Sequence, residues 1–232
     1  MKITYWSDYA CPYCYIGEAR LKKAVAPLTA TEDIEIEMKA FQLDPAAGEH
    51  ATGDTQTRFA HKYGLSMEHA ARSIERISEM GRAEGLDFKY ATTLFTNTMD
   101  AHRLTKLAQS KRDHELAGRV IERLFKAYFT DNKELAGKSL LQGIGEECGL
   151  ESSEVRELLN SDKYRDEVLL DEREAARHGI HAVPFFIIGK YAVSGAQNVE
   201  GMRSAIEQAL REGSAFAPEN GPGCGPKGCR IG

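Results

Sequence analysis

With 232 residues, 42% of them hydrophobic and 28% charged, the chain has the make-up of a globular protein with room for one large domain or two small ones. A formal net charge of -5 excludes a strong basic field for nucleic acid or membrane surfaces. No apolar run approaches the length of a membrane span, and five unevenly spaced cysteines (Cys11, Cys14, Cys148, Cys224, Cys229) are too few for a disulfide scaffold.

Met1 leads through Lys2-Ile3-Thr4-Tyr5-Trp6 straight to the first cysteines with no signal-peptide pattern, so the expected compartment is the cytoplasm. Lys2 to Ser7 predicts a strand. Cys11-Pro12-Tyr13-Cys14 follows and opens a helix-like run, Cys14 to Ala26. A C-x-x-C after a strand and at a helix start reads as a thiol–disulfide redox site. The first turn of a helix offers backbone N–H groups without intrahelical partners and the positive end of the dipole, and both favour an anion. A Cys11 thiolate there is stabilised, and Pro12 suits the first helical position because its missing N–H would lack a partner anyway. Cys11 is the expected nucleophile toward a partner disulfide, and Cys14, one turn on, the thiol that resolves the mixed disulfide. The competing readings are a coincidental pair or a zinc site, in the extreme a four-thiolate site of Cys11, Cys14, Cys224 and Cys229. Pro12 and a helix start are poor geometry for zinc. The expectation is therefore no metal and no cofactor.

Ile34 to Met38 alternates apolar and charged residues, as a strand with one wet face does. With the first strand and helix it makes a βαβ unit, which joins parallel strands. From about Thr55 to Arg177 the periodicity is helical: Met67, Ala70, Ile74 and Ile77; Leu104, Leu107 and Ala108; Leu116, Val120, Leu124 and Phe125; then Ser152 to Asn160 and Asp162 to His178. Strands return at Val183 to Ile188 and Tyr191 to Ser194 around a Gly189-Lys190 turn. A helix from Asn198 to Arg211 follows, and from Glu212 the Gly- and Pro-rich tail reads as irregular. Cys148, before Gly149 at a helix end, reads as a small buried hydrophobe. In Cys224-Gly225-Pro226-Lys227-Gly228-Cys229, Pro226 and Gly228 suit a β-turn that brings the two cysteines to bridging distance. So short a loop adds only about 2 kcal/mol, local to the tail. The pair is either a second redox couple that exchanges with Cys11 and Cys14, or a clip, or two thiols.

The order βαβ, helical block, ββα resembles an α/β thioredoxin-like fold with an inserted α-helical domain, the layout of the DsbA family. It is most similar to FrnE-like members. The segments that carry the resemblance are Cys11 to Gly17, Asn97-Thr98 with Ala101-His102-Arg103, Leu124-Phe125 with Tyr128-Phe129, Val183 to Phe186, and Ser194 to Gln197. The implied division is 1–50 and 179–212 for the thioredoxin-like domain, 51–178 for the insertion and 213–232 for the tail. The resemblance implies a cis bond at Val183-Pro184, with the Val183 backbone turned toward the Cys11 sulfur as a docking edge for an extended substrate. It implies that Pro12 and Tyr13 tune the redox potential. Tyr13 brings no positive charge where periplasmic DsbA proteins carry His, so the couple is expected to be less oxidising than theirs.

One departure stands out: Tyr5 occupies the strand position where the family has a buried acid. The proton of Cys14 then goes to Asp8, expected in a loop, to water, or to the Cys11 thiolate. Asn97 is expected as a helix N-cap. His102 either lines the cleft between domains or is a core histidine, and His181 is a solvated loop residue. Trp6, Tyr9, Tyr13, Tyr15 and Phe185 suggest an apolar peptide groove. The expected function is thiol–disulfide exchange with protein or small-molecule disulfides, without nucleic acid or membrane partners. The alternatives are a glutathione-dependent isomerase or kappa-class-like transferase, whose relatives carry Ser in place of Cys11, and a chaperone-like binder of unfolded chains.

Overall fold

The computed structural model describes residues 1–213 in full and, beyond them, the backbone of Pro222–Gly225 and Gly228–Ile231. Along the chain run β1 (Lys2–Ser7), α1 (Pro12–Val25), β2 (Glu35–Ala40), α2 (Thr55–Tyr63), α3 (Met67–Ala83), α4 (Met99–Ser110), α5 (His114–Phe129), α6 (Lys138–Cys148), α7 (Ser152–Leu159), α8 (Arg165–Arg177), β3 (Phe185–Ile188), β4 (Tyr191–Ser194), α9 (Val199–Glu212), β5 (Pro222–Gly225) and β6 (Gly228–Ile231). Contacts divide the chain into two compact units, Met1–Phe41 with Asp171–Gly232, and Gln42–Leu170. These boundaries fall earlier than the expected 50/51 and 178/179. Asp171 explains the second shift: its Oδ2 accepts the Ala40 N–H at 2.8 Å, and its carbonyl accepts the Trp6 indole N–H at 3.0 Å. From that residue on, α8 is bound to the sheet.

The sheet runs β2-β1-β3-β4-β6-β5, with β1 parallel to β2 and antiparallel to β3. Successive side chains of β1 face opposite ways, and both faces are covered. Tyr5 stacks on Phe186 with ring centroids 5.5 Å apart, on the side of α1. Trp6 faces away into a cluster with Ala175 and Ile180, edged by Phe41, Val183, Phe185 and Ile187. On the Tyr5 side α1 packs against α9, which buries Met202, Ile206 and Ala209 at helical spacing. Gly189 makes the β3–β4 turn at φ +58, and a Cβ there would lie 3.1 Å from that of Ala209, so both the turn and the close approach of α9 call for glycine.

The last strands correct the expectation of an irregular tail. β5 and β6 form a hairpin that adds to β4, with Tyr191 opposite Arg230 and Ala192 opposite Cys229. Backbone pairing does not depend on side chains, and β4 would otherwise be an open edge, so a Gly-rich composition concealed the strands. Cys224 lies directly opposite Cys229. The turn expected around Pro226 and the side chains of both cysteines lie outside the described residues.

The helical unit is set by caps that the sequence carries openly. Asp54, Ser66 and Asp113 accept backbone N–H groups of the first turns of α2, α3 and α5. At α4 the N-cap is Thr98, not Asn97. Asn97 sits one residue earlier, and its Oδ1 accepts the Met99 N–H at 2.8 Å while its Nδ2 donates to Pro45 at 3.1 Å. Its role is a local turn that holds the entry to α4. Phe125, Tyr128 and Phe129 are core, with Phe129 stacked on Phe88 at 4.7 Å. Arg103 is buried too. Its guanidinium donates to Asp100 at 2.7 Å and to the carbonyls of Lys163 (2.7 Å), Leu158 (2.6 Å) and Ser161, tying α4 to the end of α7 and the loop that follows.

An ion-paired acid closes the sheet unit at the end of α9. Glu212 accepts from Lys190 at 2.6 Å and from the Tyr191 hydroxyl. Lys190, then Tyr191 and Gln208, hold its carboxyl down at about 2. A depressed carboxyl stabilises the fold above its unfolded value and loses that contribution as pH falls toward the folded one. Glu212→Gln is therefore expected to lower the melting temperature at pH 7, and the difference from wild type is expected to shrink between pH 4.5 and pH 2, as thermal melts across that range will show.

Candidate active site

Cys11 is the N-cap of α1 in extended conformation (φ -91, ψ 115), and Pro12 occupies the first helical position. The loop before it is drawn tight: the Cys11 N–H donates to the Asp8 carbonyl at 3.0 Å, and the Cys14 N–H to the Cys11 carbonyl at 3.1 Å. These bonds fix the Cys11 backbone at the helix start, where the dipole favours a negative charge. The Cys11 Sγ also lies 3.5 Å from the Val183 carbonyl oxygen, across the site on the residue before Pro184. The Val183–Pro184 bond is cis, the isomer the resemblance implies.

Cys14 is completely buried. Burial pushes its thiol well up, and the hydrogen bond and charge of Cys11 add to that; the Ser7 hydroxyl and the Asp8 backbone N–H, 3.5 Å from the sulfur, act the other way. Cys14 thus keeps its proton at neutral pH. Of the two thiols it is the one suited to wait.

Tyr5, at the position of the missing strand acid, remains a neutral hydroxyl, because burial, then Glu18, Tyr9 and Cys14, push its ionisation well up. Two buried carboxyl groups come from elsewhere. Asp8 is in the loop as expected but only 1% exposed. Glu18 is 4% exposed, pairs with Lys22 at 3.1 Å and lies one turn from Cys14 on α1. Sequence reasoning missed Glu18 and Ser7, since neither carries a motif and only the burial of both faces of β1 brings them to notice.

The apolar groove needs correction. Trp6, Tyr9 and Tyr15 are buried core residues, Tyr9 with its hydroxyl on Met38 Sδ at 3.7 Å. They point into packed layers and not to solvent. Tyr13, 41% exposed between the cysteines, and the part-buried Phe185 and Val183 are what the site presents. His181 is exposed in its loop, His102 is buried within α4, and Cys148 is buried at the end of α6, where burial again raises its thiol. The tail cysteines stand apart from the site. Cys229 is level with Ala192, Ile187 and Thr4 across β4, β3 and β1, and three strand spacings make roughly 14 Å. A four-thiolate zinc site with Cys11 and Cys14 does not fit that placement. Among the described residues no group of three or more His, Cys, Asp or Glu is placed to hold a metal, and no helix is long and apolar enough to cross a membrane.

A family model for the DSBA-like thioredoxin domain matches residues 2–207. The chain belongs to the DsbA-like thioredoxin domain family. A probable DsbA oxidoreductase of Streptomyces coelicolor has the same fold at a TM-score of 0.84, with 34% identity, 100% of this chain covered and 99% of that one. Uncharacterized protein YwbO of Bacillus subtilis (strain 168) is 24% identical over 223 residues, 90% of this chain and 98% of its own. The cytosolic disulfide reductase DsbM of Pseudomonas aeruginosa, also solved with GSH, shares the fold at a TM-score of 0.63 and 16% identity, covering 92% of this chain and 100% of its own. A 2-hydroxychromene-2-carboxylate isomerase does so at 0.70 and 14%, covering 91% and 97%. The last two, at 16% and 14% identity, share the fold with this chain.

Proposed function

We propose that this protein is a thiol–disulfide oxidoreductase acting through Cys11 and Cys14 on disulfides of proteins or small thiols. The observation that carries the reading is Cys11 at the N-cap of α1 with its sulfur 3.5 Å from the Val183 carbonyl and the fully buried Cys14 thiol beside it. In the reducing direction the Cys11 thiolate attacks one sulfur of the substrate disulfide. That bond breaks, and the departing sulfur leaves as a thiolate. Cys14 then loses its proton to that thiolate or to the buried Asp8 carboxylate and attacks the Cys11 sulfur. The second substrate sulfur leaves as a thiolate and takes up a proton from water, and the enzyme is left with a Cys11–Cys14 disulfide. The reverse sequence oxidises a dithiol.

The direction of net flow follows from the potential. Tyr13 adds no cation to favour the Cys11 thiolate, so the couple is expected to lie well below the roughly -120 mV of DsbA. Equilibration with glutathione buffers measures it, and a value near that of DsbA contradicts the tuning role. DsbM is named as cytosolic, and a cytoplasmic reductase or isomerase using an external thiol such as glutathione is the setting we infer here. The test is insulin reduction by the purified protein with a thiol donor. Turnover well above the donor's own rate supports the proposal. Glutathione-dependent isomerisation or conjugation without disulfide exchange would instead favour the isomerase-like alternative.

The tail pair enters as a second dithiol. Opposed residues of an antiparallel pair have Cα atoms about 4.5–5.5 Å apart, within the range a disulfide spans. Because the hairpin lies three strands from β1, exchange with Cys11 requires it to detach or to meet a second molecule. Mixed disulfides between Cys11 and Cys224 or Cys229 in a Cys14→Ser background are the expected product, and their absence under trapping conditions refutes the exchange.

A further inference from the structure

Gly17 lies in the second turn of α1, where glycine is among the least favourable residues for a helix. The reason for it is spatial. A Cβ on Gly17 would stand 3.0 Å from Pro184 Cγ, 3.3 Å from Phe186 Cζ and 3.6 Å from the Ala196 Cβ. Glycines of two other helices, Gly118 in α5 and Gly143 in α6, have nothing within 4 Å. Here, then, α1 touches the cis-proline loop, β3 and the turn after β4 at one point. Three of the sequence segments that carry the family resemblance, Cys11 to Gly17, Val183 to Phe186 and Ser194 to Gln197, meet at this contact. Two hydrogen bonds hold it closed: Arg20, three residues further along α1, donates to the Ala196 carbonyl at 2.7 Å, and the Gly195 N–H donates to the Pro184 carbonyl at 2.8 Å.

We propose that Gly17 is a positioning residue that sets the separation between the Cys11 sulfur and the Val183 backbone, and so decides how well the site takes extended peptide disulfides; this rests on the exchange function proposed above. α1 is one continuous helix, and Cys11 caps it six residues from Gly17, about 9 Å along the axis. Pro184 presents a ring closed onto its own backbone, not a flexible chain end, so its Cγ shifts only by a change of pucker. A methyl group on residue 17 therefore crowds two neighbours at once, at 3.0 and 3.3 Å. The expected response is that α1 or the proline loop gives by a few tenths of an ångström, and that the Cys11–Val183 spacing of 3.5 Å opens with it. A peptide whose sulfur is joined to Cys11 while its backbone pairs with Val183 needs both anchors in register. A small disulfide needs only Cys11.

The experiment compares wild type, Gly17→Ala and Gly118→Ala on two substrates: a disulfide-linked peptide with residues on both sides of its cysteine, and bis(2-hydroxyethyl) disulfide. For Gly17→Ala the ratio of kcat/KM for the peptide over the small disulfide is expected to fall about fivefold or more, mainly through the peptide's KM. Gly118→Ala is expected to keep the wild-type ratio. If Gly17→Ala does not fold, Arg20→Met, which unties α1 from Ala196 without adding bulk at the contact, is expected to lower the same ratio. A ratio unchanged in the folded variants overturns the positioning role. Failure of the wild-type protein to exchange either substrate would overturn the proposed function and is a separate result.

Discussion

Cys11→Ser is expected to lower kcat/KM for insulin reduction by about a thousandfold or more, because a serine hydroxyl stays protonated where a cysteine sulfur ionises and attacks. Cys14→Ser is expected to behave differently. It keeps the attacking sulfur at the N-cap and loses the thiol that releases the substrate, so it should accumulate a mixed disulfide through Cys11 that mass spectrometry can read. Both follow from the asymmetry of the site. Cys11 holds the helix start beside the Val183 carbonyl, and Cys14 lies fully buried with its proton held by desolvation. Equal residual activity of the two variants would contradict that asymmetry.

The second large effect concerns stability. Arg103→Ala removes a buried guanidinium that serves Asp100 and three carbonyls, and leaves the carbonyls of Leu158, Ser161 and Lys163 without it. Stranding buried partners of this kind costs about 3–5 kcal/mol, which for a chain of this size lowers the melting temperature by roughly 10 °C. Arg103→Lys is expected to recover little, since one ammonium cannot reproduce the planar fork that spans several acceptors. Thermal melts of the purified variants measure both. A shift of no more than about 2 °C for Arg103→Ala would show that water replaces the guanidinium at no cost.

The site was legible where chemistry and local geometry coincide in a few consecutive residues. Cys11 to Cys14 after a strand, with Pro12 at the first helical position, is such a case, and Asn198 as the cap of α9 is another. The role of Arg103 was not legible, although its segment belongs to the family resemblance, because its carbonyl partners lie 55 to 60 residues further along the chain. The aromatic residues misled for a related reason. Tyr9 and Tyr15 stand next to the cysteines in sequence, but Tyr9, in the turn after β1, and Tyr15, on α1, are both buried, and only Tyr13 is left in the open. Gly17 carried a faint signal, a glycine inside a helical pattern, which points to close packing without naming the neighbour. Asp8 was legible as a candidate proton acceptor but not as buried, and Glu18 gave no signal, since a carboxylate in a loop or on a helix reads as solvated until its surroundings are seen.

Limited alkylation tests the division of labour between the two thiols. Reduced protein treated with one equivalent of iodoacetamide at pH 7 and mapped by peptide mass spectrometry is expected to carry label on Cys11 at roughly ten times the level on Cys14, or more. Label on Cys14 equal to or above that on Cys11 would mean that the buried thiol is the one that ionises, and that the helix start does not select the nucleophile.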